Sequence, residues 1–86
     1  MIIVNVRVPA LEKIYNFSLE EKAQISELIE EITQLVVQKE GLSIEEDTKA
    51  AFNEMSLCSL DASVQLSRQY SLADYGISDG AELMLV

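Results

Sequence analysis

The sequence predicts an α+β domain, a mixed sheet of four to five strands packed on one main helix, with residues 1–86 forming a single unit. Three observations carry that expectation. The chain opens on strict apolar alternation, continues into a stripe of apolar residues three and four apart, and closes on two tight-turn signals before a second alternating run. Its 86 residues suffice for one small core.

The first strand places Ile2, Val4, Val6 and Val8 on one face and Ile3, Asn5 and Arg7 on the other. Pro9 lacks a backbone N–H for the ladder, so the strand ends there and residues 9–12 make the connection. Lys13–Leu19 returns with Tyr15, Phe17 and Leu19 on one side and Ile14 and Asn16 on the other. Two such runs joined by a short turn predict an antiparallel hairpin. Ser18 and Glu21 then fit a capping box, with Glu20 and Glu21 at the positive end of a helix. Ile25, Leu28, Ile29, Ile32, Leu35 and Val36 form one stripe. Lys39 falls in the last turn and Gly41 is placed to end it, so a helix of about 30 Å is expected from about residue 20 to 40.

Over 42–54, Ser43 and Glu46 repeat the capping-box pattern, and Ile44, Thr48, Ala51 and Met55 form a weak apolar face. A short second helix is favoured over a long ordered connection. Strands follow at 57–61, at 64–66 as a short edge, and at 82–86. Between the last two, Ser71 caps a short helical turn with Asp74 at its third position. Gly76 ends that turn in the left-handed conformation, and Ile77 points inward. Asp79-Gly80 makes a further tight turn, after which Leu83 and Leu85 alternate with Glu82 and Met84.

Composition excludes much chemistry. The net charge of −9 opposes phosphate backbones and anionic lipid, so no nucleic-acid partner is expected. No apolar run approaches the roughly 18 residues of a membrane span, and the start lacks the basic region of a secretory signal. Membrane insertion is therefore not expected, and a cytoplasmic location is. Cys58 is the only cysteine, which rules out an intrachain disulfide and a cysteine-rich zinc site. With no histidine, imidazole-assisted nucleophiles and histidine metal ligands are absent. Gly76 and Gly80 do not make a phosphate loop, because the stretch lacks a lysine and precedes a strand. Glu27, Glu30 and Glu31, and the acidic run 45–47, lack EF-hand spacing and read as a solvated face. The chain is expected to be no enzyme and to hold no cofactor or metal.

The outward face of the sheet is the more promising surface. If Leu83 and Leu85 face the helix, Met84 and Val86 face away, and Ile3 faces away on the first strand. With first and last strands side by side, Ile3, Met84 and Val86 are expected to form one exposed apolar cluster for a protein partner.

A final strand entered through Ser71-Leu-Ala-Asp-Tyr-Gly-Ile-Ser-Asp-Gly-Ala-Glu-Leu83, after a hairpin and a helix, resembles the end of a ubiquitin-like β-grasp domain. Over its whole length the chain resembles the YukD/EsaB-like family, small ubiquitin-like proteins of type VII secretion systems in Gram-positive bacteria. That resemblance implies a cytosolic accessory role, touching the membrane-bound secretion ATPase or another cytoplasmic component. The alternative is a ubiquitin-like modifier or sulfur carrier. It is disfavoured because such chemistry uses a flexible Gly-Gly tail, whereas this sequence closes on Leu85 and the β-branched Val86.

Overall fold

A computed structural model describes residues 1–41 and 54–86 of the chain. Strand β1 (Ile2–Val8) pairs antiparallel with β2 (Lys13–Leu19), in a register running from Ile2 opposite Leu19 to Val8 opposite Lys13. Pro9 opens a single 3-10 turn, Pro9–Leu11, where its fixed φ suits the first helical position. Glu12 closes the hairpin in the left-handed region at φ 54°. The remaining strands are β3 (Leu57–Ser59), β4 (Val64–Gln65) and β5 (Glu82–Leu85). The sheet order is β2-β1-β5-β3-β4, with β1 and β5 parallel and every other pair antiparallel.

One helix, α1 (Ile25–Glu40), covers one face of this sheet. The alternation in β1 and β2 resolves as expected: Val4, Val6, Val8, Tyr15, Phe17 and Leu19 are buried against Ile25, Leu28, Ile29, Ile32 and Val36. Leu57, Leu66, Leu72, Leu83 and Leu85 complete the core. Leu35 is only partly buried, while Val37 and Thr33 join the buried set. The Thr33 hydroxyl donates back to the Ile29 carbonyl at 2.7 Å, which lets a polar residue sit there without an unpaired group.

The helix starts later than its sequence punctuation predicts. Ser18 is committed to β2, opposite Ile3, and the Glu21 carboxylate ion-pairs with the Met1 ammonium at 3.1 Å. Gln24 is the N-cap and makes no side-chain cap. The first helical N–H groups are instead taken by a distant loop: Ile25 donates to the Tyr70 carbonyl at 2.7 Å and Ser26 to that of Arg68 at 3.2 Å. Sixteen residues give a helix of about 24 Å rather than 30 Å. The other end matches expectation, with Lys39 in the last turn and Gly41 left-handed at φ 63°. There the Glu40 carboxylate accepts from Lys13 Nζ at 2.7 and 2.9 Å and from the Tyr15 hydroxyl at 2.6 Å, pinning the helix to the hairpin.

The short helix expected over 42–54 lies outside the described residues, save Glu54 at its end. The 71–80 segment is as the sequence implied. Ser71 N donates to Asp74 Oδ2 at 2.9 Å and Asp74 N to Ser71 Oγ at 3.1 Å, a reciprocal cap on the 3-10 turn Ala73–Tyr75. Gly76 ends it at φ 69°. Asp79-Gly80 leads into β5, held by Ile3 N donating to Asp79 Oδ1 and Gly80 N donating to the Ile3 carbonyl, each at 2.8 Å.

Candidate protein-interaction surface

The sheet face opposite α1 is built by the side chains that alternate away from the core. Strand register places one residue from each strand in a single row: Ile14 opposite Arg7, Arg7 opposite Met84, Met84 opposite Cys58, and Cys58 opposite Gln65. Ile14 is 61% exposed, Arg7 is exposed, and Met84 and Cys58 are partly buried by their neighbours. Val86, 48% exposed, lies two residues beyond Met84, and its N–H donates to the Ser56 carbonyl at 2.9 Å. Along one strand face, that spacing is about 7 Å.

Ile3 stands apart from this group. Asn5, not Ile3, lies opposite Glu82, so Ile3 falls level with Gly80, four residue steps from Met84. At 3.3 Å per residue this is about 13 Å. The row between them is polar, with Asn16 Nδ2 donating to Asn5 Oδ1 at 2.9 Å and Glu82 exposed beside them. Facing was legible from alternation, and Ile3, Met84 and Val86 all do point away from the helix. Their grouping was not, because a parallel pairing between chain ends has no local signal for its register. The same reasoning missed Ile14. Hairpin register alone would have set it opposite Arg7.

This face combines apolar side chains with one cationic group. Arg7 offers a guanidinium and an aliphatic stem between two apolar neighbours. Titratable groups with displaced pKa values lie elsewhere, at the rim and the termini. Burial, aided by the Glu40 carboxylate, pushes the Tyr15 phenol up to about 12. The bond from Lys13, with that from Tyr15, holds Glu40 below the usual carboxylate range. Among the described residues no group of three or more His, Cys, Asp or Glu side chains is placed to hold a metal ion. Glu27, Glu30 and Glu31 are exposed on α1. No described helix is long and apolar enough to cross a membrane.

A mixed five-stranded sheet with parallel central strands, a hairpin at one edge and helix α1 across one face defines a ubiquitin-like β-grasp module. Residues 2–85 match the family model described as the WXG100 protein secretion system (Wss) protein YukD, and the chain belongs to that family. It is a ubiquitin-like, type VII secretion-associated protein. No curated protein matches it in sequence. Among solved structures it is similar to the EccD5 ubiquitin-like domain from Mycobacterium xenopi, with a TM-score of 0.70 and 20% identity, over 99% of this chain and 91% of that one. It is also similar to ATBAG1, crystallised in complex with HSP70, with a TM-score of 0.65 and 16% identity. That match covers all of this chain and 40% of the other, so the chain spans less than half of that relative. At these identities both likenesses speak for the fold.

Proposed function

We propose that this protein is a non-catalytic interaction module of a type VII secretion system, acting in the cytoplasm. It docks on the secretion ATPase or another cytoplasmic component through its outer sheet face. Met84 and Val86 are the centre of the contact, with Ile3 at its margin. The observation that supports this is the asymmetry of the sheet. One face is sealed by α1, while the other presents Ile14, Met84, Val86 and the Arg7 stem to solvent. Exposed apolar side chains gathered on one face of a small domain are a common mark of a contact surface. The ATBAG1 likeness adds that a chain containing this fold has been crystallised with a protein partner.

The test is Met84→Asp, assayed against purified cytoplasmic parts of the secretion machine. Folding stability should stay within about 1 kcal/mol of the parent, because the side chain is only partly buried and lies outside the core. Binding should be lost, because a carboxylate enclosed in an apolar contact stays unpaired. Undiminished binding would place the partner site elsewhere on the molecule.

A further inference from the structure

The end of the molecule where α1 begins carries a second surface, formed by the loop that caps the helix. Tyr70 and Tyr75 are 54% and 37% exposed, with ring centroids 6.0 Å apart and planes inclined at 71°. Together with Asp74 they line a cleft of about 360 Å³. The Tyr75 and Asp74 side chains and the Tyr70 backbone are each bonded within the loop. The Tyr75 hydroxyl accepts from Ser67 N at 2.8 Å. The Tyr70 backbone is tied at both ends, its N–H donating to the Ser67 carbonyl at 3.2 Å and its carbonyl capping α1. Asp74 Oδ2 is fixed by Ser71 N. Among the described residues, no ion pair engages Asp74.

We propose that Tyr70, Asp74 and Tyr75 form a receptor for an arginine side chain of a protein partner. Aromatic faces carry negative quadrupole charge and attract a cation placed over them. A carboxylate beside two steeply inclined rings adds the counter-charge. A planar guanidinium can stack on one ring while donating to that carboxylate, whereas an ammonium is a compact, strongly hydrated point charge. An apolar ligand would desolvate Asp74 without pairing it, and an anion would be repelled by it. The net charge of −9 draws basic segments towards the whole molecule. Because Tyr75 and Asp74 are already anchored, ordering on binding falls mainly on the Tyr70 ring. This site is separate from the sheet face and stands without it.

The experiment is an NMR titration of the 86-residue chain with N-acetyl-arginine methylamide, run beside the lysine and citrulline counterparts. Arginine should move the ring resonances of Tyr70 and Tyr75 and the amides of 70–76, more strongly than lysine. Citrulline, neutral and nearly isosteric, should leave them in place. Tyr70→Ala should weaken arginine binding about two- to fivefold, the range of an exposed cation–π contact, while Tyr70→Phe should retain it. Asp74→Asn keeps an acceptor for the turn and should weaken binding while flattening its salt dependence. Equal shifts with citrulline would overturn the cation assignment, and lysine matching arginine would overturn the guanidinium preference. Arginine shifts confined to Glu27, Glu30 and Glu31, or undiminished binding by Tyr70→Ala, would remove the site. These outcomes do not depend on the Met84 experiment.

Discussion

Leu83 and Met84 are adjacent in β5 and lie on opposite faces of one sheet. Leu83 is fully buried beneath α1, whereas Met84 lies partly exposed in a row shared with Arg7 and Cys58. The inner face is specified by many residues at once. A one-residue slip of any strand would expose its whole apolar set, so its register is strongly held. The outer face inherits that register without having selected it. Its composition therefore follows from local alternation, but its geography follows from distant pairings.

The largest effect expected from this contrast lies on the inner face. Ile29 is 1% exposed in the middle of α1 and belongs to the main core cluster. Ile29→Ala should cost on the order of 2 to 5 kcal/mol in urea unfolding, through lost burial and the cavity left behind. A loss below about 0.5 kcal/mol would be that of a surface site and would refute this facing of the helix.

Tyr15 sharpens the contrast, because it is an inner-face residue whose polar tip reaches the rim. Its ring is 7% exposed and stacks on Phe17 with centroids 5.6 Å apart, while its hydroxyl donates to Glu40. The folded pKa is raised to about 12 from an ordinary value of 10.0, so the unfolded chain releases this proton first as pH rises. The stabilisation is fully present below pH 10 and is lost through the folded pKa. Melts between pH 9 and 12 should show a steeper alkaline decline for the parent than for Tyr15→Phe, and parallel declines would show that the phenol is not held neutral by the fold.

The two ends of α1 show in the same terms how much was legible in the sequence. Lys39 and Gly41 signalled the C-terminus because its cap is local, a left-handed glycine bonding back to the last turn. Ser18 and Glu21 gave an equally regular signal at the other end and were misleading. The carbonyls that cap the helix belong to Arg68 and Tyr70, more than forty residues further along, and no pattern near residue 20 encodes them. The Ser71–Asp74 turn and Gly76 were readable because each is closed by residues three apart, and the alternation of β5 because a strand's period of two shows in its own residues. The candidate surface was half readable for the same reason: alternation showed which way Ile3, Met84 and Val86 point, and only the β1–β5 register showed which of them meet.

The smallest expected effect tests that division of the outer face directly. Met84 and Cys58 are direct cross-strand partners, whereas Ile3 and Met84 are four residue steps apart with a polar row between them. Side chains in contact couple in double-mutant cycles, and cross-strand pairs contribute roughly 0.2 to 1 kcal/mol. Sites more than about 7 to 10 Å apart with no shared partner add within about 0.5 kcal/mol. The cycle built from Met84→Ala and Cys58→Ala should therefore leave a measurable interaction energy, close to the upper end of that range because two soft side chains lose one shared contact. The cycle built from Met84→Ala and Ile3→Ala should be additive. If instead Ile3 couples to Met84 as strongly as Cys58 does, the two apolar groups form one cluster after all, and the parallel pairing of β1 with β5 would have to be shifted to bring them together.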